Sequence, residues 1–278
     1  MEHLISHFYR ISSQDRSSGQ TIQSFTVQNP NLDDSHSFRV EEVIIPVTWY
    51  GINSTNNILN FSPNSTGFVT ITIPPGNYNV TTFISALQTA MNAAGGGQTY
   101  TATISTTTGL LTITANAGNF IIDNTSAIQY IMGLSGLGTT TSTASVFIAP
   151  NVINLTGTNA VNISSRELTK YSTKSLTSDT GSSSDHLCTV PVTLGFGSTI
   201  FYKPYNKYFT YNGTKGAQVD LQIYDQWHKP LNLNGNDYII SIKFHTDRLH
   251  NLDIRRRIKE SKPEDRDFFT AMTYSTKD

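Results

Sequence analysis

One cysteine, Cys188, stands among 278 residues. A lone thiol closes no internal disulfide and cannot supply a multi-cysteine zinc site, which excludes a disulfide-stapled scaffold and suits a reducing compartment such as a cytoplasm. Charge is scarce too. Only 14% of residues are Asp, Glu, Lys or Arg, against about 25% in an average globular chain. With 19 basic and 20 acidic residues the formal net charge is -1, which argues against a surface that binds nucleic acid everywhere. There is no run of about 18 apolar residues, so no transmembrane helix is expected. Residues 1–20 are polar and lack the apolar centre of a secretory signal.

What is present excludes disorder. Hydrophobic residues make up 37%, with 13 Tyr and 14 Phe, more than a low-hydrophobicity disordered chain carries. Ser, Thr and Asn replace the missing charge, with 29, 38 and 23 copies. They create eight Asn-x-Ser/Thr sequons, starting at Asn53, Asn60, Asn64, Asn79, Asn124, Asn154, Asn162 and Asn212, read as unglycosylated chance matches because no leader is apparent. The charge is unevenly spread: between Glu42 and Arg166, only Asp123 is charged.

Periodicity divides the chain. Residues 1–20 show no clear alternation and read as an N-terminal arm, extended and ordered only by a partner. Residues 21–63 and 139–246 read as strands of one discontinuous jelly-roll domain, with about eight strands of irregular spacing. Asn234-Gly235 is a strong turn signal before the last strand. Residues 64–138 read as an inserted α+β domain. In it a strand around Phe68–Ile73 is followed by a helix carrying Val80, Phe83, Ile84, Leu87, Ala90, Met91 and Ala94 at helical spacing, capped by Asn79 or Thr81 and ended by Gly95-Gly96-Gly97. A hairpin turning at Thr108-Gly109, a short strand at Phe120–Ile122 and a brief helix from Ser126 complete it. Residues 173–185 form a Ser/Thr/Gly loop. Residues 247–278 form a charged tail with eight Lys or Arg and seven acids.

Catalytic chemistry finds little support. Asp225 and Asp237 sit at strand ends, where Asp commonly serves a turn; they are the candidates for a polysaccharide hydrolase. Cys188, His186 and Asp185 are too close in sequence for all three side chains to converge from one strand, since alternation sends His186 and Cys188 one way and Asp185 the other. His245, Asp247 and His250 straddle a strand end, so no metal or cofactor is expected from them. Gly133–Gly138 lacks the Lys-Ser/Thr of a phosphate-binding loop and reads as a flexible link between modules. Arg255, Arg256, Arg257 and Lys259 are the candidate partner-contact residues, for protein or for nucleic-acid phosphates, against a plain solvated helix face.

Four segments in fixed order carry a resemblance. They are Ile44-Ile45-Pro46-Val47-Thr48-Trp49-Tyr50-Gly51-Ile52-Asn53; Ile73-Pro74-Pro75-Gly76-Asn77-Tyr78 ahead of the helix; the Tyr100–Thr114 hairpin followed by Ile131-Met132-Gly133-Leu134; and Leu221-Gln222-Ile223-Tyr224-Asp225 with Pro230-Leu231-Asn232-Leu233-Asn234-Gly235-Asn236-Asp237-Tyr238. Together they resemble the penton or minor capsid proteins of virophages and polinton-like DNA viruses. The resemblance implies a mainly β, antiparallel jelly-roll sandwich with an inserted small α+β domain. It implies a structural, non-enzymatic virion protein that assembles as a homopentamer at the capsid vertex beside the major capsid protein, in the host cytoplasm. A host receptor and packaged DNA, reached through the tail, are further implied partners. The Arg-Gly-Asp motif of some adenovirus pentons is absent. A competing reading is a receptor- or carbohydrate-binding module that stacks sugars on Trp49, Tyr202, Tyr205, Tyr208 and Tyr211. The uneven charge suggests a neutral outer portion and a charged inner portion, with arm and tail opposite the inserted module.

Overall fold

A computed structural model describes residues 4–28, 35–65, 67–170, 185–205, 207–211 and 218–247. They form two compact units. One combines the residues up to Thr48 with those from Ala160 onward; the other is Trp49–Asn159. In chain order the first unit supplies β1 (Leu4–Ser12), β2 (Ser24–Gln28) and β3 (Ser35–Pro46). The second supplies β4 (Ile58–Ser62), β5 (Val69–Thr72), α1 (Val80–Ala94), β6 (Tyr100–Ile104), β7 (Leu110–Ala115), β8 (Ile121–Ile122), β9 (Thr140–Thr141) and β10 (Val146–Val152). The first unit then resumes with β11 (Ala160–Ser164), α2 (Arg166–Thr169), β12 (His186–Pro191), β13 (Thr199–Tyr202), β14 (Phe209–Thr210), β15 (Gln218–Tyr224) and β16 (Ile239–Asp247).

The first unit pairs its strands from the outside inward. β1 joins β16, β2 joins β15, β3 joins β13 and β11 joins β12, all antiparallel. Cross-links β16–β3 and β11–β15 assemble these pairs into two sheets, β1-β16-β3-β13 with β14 beside β3, and β12-β11-β15-β2. This nested pairing of eight strands is a jelly roll. The inner faces supply Phe38, Val43, Ile45, Ile240 and Ile242 from one sheet and Val161, Ile163, Leu221 and Ile223 from the other, all buried. Phe25 meets Tyr238 edge-on at 5.9 Å, and Phe38 stacks on Phe209 at 4.9 Å. Asn234 and Gly235 both have positive φ, 50° and 83°, and Asn236 N donates to Leu233 O, as the Asn-Gly signal requires.

The N-terminal stretch differs from its expectation. Leu4–Ser12 is a strand paired along its whole length with Ile239–Asp247. The apolar alternation is missing: His7 and Phe8 are both exposed, and Tyr9 is half-buried. Backbone pairing, buried Ile11 and a hydrogen bond from Tyr9 Oη to Gln28 O (2.7 Å) hold it instead. Ser12 then turns the chain: its hydroxyl accepts from Gln14 N while its own N–H donates to Asp15.

The second unit packs α1 with two sheets, β10-β7-β6 and β5-β4-β8-β9. It is longer at both ends than the expected 64–138. β4 pairs with β5 and β8 through fully buried Leu59 and Phe61, and β10 pairs with β7 through Phe147. A strand's alternation says which face is buried, not which sheet it joins. α1 begins as expected: Asn79 Oδ1 accepts from Thr82 N, and Thr82 Oγ1 accepts from Asn79 N. Phe83, Leu87 and Met91, spaced by four, are its buried line. The glycine-rich 133–138 stretch is no link between units. Gly133 O accepts from Asn151 N (3.1 Å) and Asn151 Nδ2 (3.2 Å), and Leu134 is buried. Gly133 has φ +75°, and a Cβ there would lie 2.1 Å from Asn151 O.

Candidate assembly surface

The expected site residues separate. Arg255, Arg256, Arg257 and Lys259, with the rest of the tail from residue 248 and the 173–184 part of the Ser/Thr/Gly loop, lie outside the described residues. Asp225 serves the turn after β15: its Oδ1 accepts from Trp227 N (2.8 Å) and Lys229 N (2.9 Å). Asp237 accepts from Ser13 Oγ (2.6 Å) and pairs with Arg16 (2.9 Å), tying the turn after β1 to the start of β16. Cys188 faces the core, and burial pushes its thiol up to about 12. A bulge pairs Ile163 with Cys188 but Ser164 with His186, so Leu187 and Cys188 are both buried. That inserted residue reverses the expected alternation: His186 reaches the outer side, 3.2 Å from Thr189 Oγ1. Among the described residues no group of three His, Cys, Asp or Glu is placed to hold a metal ion. No described helix is long and apolar enough to cross a membrane. Of the five aromatics grouped for stacking, Trp49 and Tyr211 are buried, whereas Tyr205 and Tyr208 are exposed.

The two outer faces of the jelly roll differ in chemistry. On the β12-β11-β15-β2 sheet the outward positions include Thr26, Asn162, Ser164, Thr189, Asp220 and Gln222, which are polar. Asp220 is tied down there by Ser165 Oγ and the N–H groups of Arg166 and Glu167 at the start of α2. On the other sheet an apolar row crosses three strands: Ile239 pairs with Ile44, and Ile44 with Phe201. Ile44 and Ile239 are half-buried, and Phe201 is 70% exposed. An open groove of about 390 Å³ runs along this row, lined by Ser12, Ile44, Pro46, Thr199, Asn236 and Ile239. Four residues further along β16, about 13 Å away, lies a charged row. There Phe8 pairs with Lys243, and Lys243 with Arg39. Lys243 Nζ sits 5.0 Å from the Phe8 ring centre, and Arg39 lies 5.7 Å from that of Tyr208. His245 is held below its ordinary pKa, by burial first and then by the Lys243 and Arg39 cations.

The apolar row has a signal in the sequence outside the candidate site residues. Val43-Ile44-Ile45, Ile239-Ile240 and Ile200-Phe201 are unbroken apolar runs. A strand covered on one face alternates, whereas unbroken runs mark strands covered on both.

An antiparallel jelly roll interrupted between its third and fourth strands by a second α+β unit defines the architectural class. The chain is similar in structure to the mavirus penton protein: 88% of this chain aligns with 100% of that one at a TM-score of 0.50 and 12% identity. It also aligns with a chain of the Sputnik virophage structure, over 89% of this chain and 99% of that one, at a TM-score of 0.42 and 15% identity. The likeness is one of fold, and the jelly roll expected from the resemblance is the fold observed. No family model and no curated protein matches the sequence.

Proposed function

We propose that the chain is a structural virion protein: a penton-like vertex protein that assembles as a homopentamer within a shell of major capsid protein, in the host cytoplasm. The observation that carries this reading is end-to-end fold likeness to the mavirus penton protein. The apolar Ile239–Ile44–Phe201 row supports it, because an exposed apolar strip beside a groove marks a contact surface. A ring of identical copies needs a heterologous contact that closes on itself, and the chemically different outer faces supply two unlike surfaces. Host attachment and a DNA contact through the Arg255–Lys259 cluster remain parts of the same proposal.

The test is mass measurement of the purified chain by light scattering, with cryo-microscopy of particles. A five-copy ring that Phe201→Asp reduces to folded protomers is the expected result. A strict monomer that is absent from particles would overturn the reading.

A further inference from the structure

We propose that the outer face of the β1-β16-β3 sheet, at its Phe8–Lys243–Arg39 row, binds single-stranded nucleic acid. The inference goes beyond the vertex reading and uses residues distinct from the tail cluster. Three observations carry it.

The first is a like-charge juxtaposition. Lys243 and Arg39 are direct cross-strand partners on an outward face. Two cations so placed repel each other and weaken the sheet. Glu41 accepts from Arg39 Nε at 2.9 Å. Arg10 projects from the same face two residues along β1 from Phe8, and it is exposed. An anion laid across the row relieves the repulsion.

The second is the interleaving of aromatics with these cations. Phe8 is 68% exposed at one end of the row, and Tyr208 is 55% exposed at the other. Arg39 Nη1 donates to Tyr208 Oη at 3.3 Å. The segment joining β13 to β14, both paired with β3, continues the pattern with exposed Lys203 and Tyr205. Tyr205 is 96% exposed. Cations that track a phosphate backbone beside rings that stack on bases are the recurring chemistry of single-strand binding. A duplex hides its base faces and has no use for the rings.

The third is the charge balance. Among the described residues, Arg10, Arg39, Lys203 and Lys243 stand against Glu41 and Glu42. A sugar site stacks on aromatics without needing cations. Protein interfaces are depleted in Lys, yet two of these four cations are Lys. The excess therefore favours a polyanion. The apolar row is about 13 Å away along β16, and the two rows share no residue.

The test is binding of a fluorescent deoxythymidine oligomer of about twenty nucleotides to the full chain across a salt series. Each phosphate contact contributes about -0.7 to the slope of log affinity against log salt for a single strand. Lys243→Gln and Arg10→Gln, both at solvent-facing positions, are each expected to make the slope shallower by about 0.7. Phe8→Ala is expected to weaken binding about tenfold with the slope unchanged, because stacking releases no counterions. Thermal melting of each variant verifies the fold. Parental affinity and slope in all three folded variants would overturn the proposal and leave the tail, or a protein partner for this row, as the explanation of any residual binding. Equal affinity for a duplex of the same length would overturn the single-strand assignment.

Discussion

Gly133 and Gly136 have nearly the same backbone conformation, φ +75° and +78°, but opposite surroundings. Alanine at either position must adopt a left-handed conformation, which costs about 1–2 kcal/mol. At Gly136 nothing lies within 4 Å of the added Cβ, so that cost is nearly the whole effect. At Gly133 the Cβ would sit 2.1 Å from Asn151 O and 3.0 Å from Val152 O, both backbone atoms. The backbone must separate by about an ångström, and doing so strains the two hydrogen bonds from Asn151 to Gly133 O. Each is worth about 1 kcal/mol net. Gly133→Ala is therefore expected to cost about 4 kcal/mol in all, against about 1.5 for Gly136→Ala. At about 5 °C of melting temperature per kcal/mol for a unit of this size, the melts should fall by about 20 °C and about 7 °C. The assay is thermal unfolding followed by far-ultraviolet circular dichroism, which reads α1, the long helix of this unit. Equal drops for the two variants would refute the argument, since they would show that the conformational term alone decides and the Asn151 contact yields freely.

Three further outcomes follow from single groups. Cys188 holds its proton up to about 12 in the folded chain, against an ordinary value of 9.0. Native protein at pH 8 should therefore resist alkylation while unfolded protein reacts, and rapid stoichiometric labelling of native protein contradicts the buried placement. The same raised pKa means that stability is fully present below about pH 9 and declines as pH rises from there through about 12, because the unfolded chain releases the proton first. Asn79→Ala removes the reciprocal cap of α1 and should cost about 1 kcal/mol by denaturant titration; Asn79→Asp should retain most of it, and equal losses in both variants rule the cap out as the cause.

Local physics made much of the second unit readable. The line Phe83, Leu87, Met91 and the cap at Asn79 are nearest-neighbour features, and the helix forms where they predict it. The Asn234-Gly235 turn is legible for the same reason: few residues other than Asn and Gly accept positive φ at low cost. Boundaries were less legible. β4 and β10 alternate like any strand, so their membership in the second unit depended on long-range partners. β1 reads as an arm in the sequence because its residues show no clear periodicity, although β16 holds its backbone along nine residues. The 133–138 glycines suggested flexibility, but Asn151 packs against them from a distant position in the chain.

The contact surface shows the same division. Composition established that this is a low-charge, β-rich chain without a disulfide framework, and its unbroken runs at Val43-Ile44-Ile45 and Ile239-Ile240 already carried a demand for cover on both faces. Only the tertiary structure put Ile239, Ile44 and Phe201 in one row and Phe8, Lys243 and Arg39 in another. These residues come from four strands up to about 235 positions apart. Their meeting depends on register, and register is set by the whole nested pairing of the jelly roll.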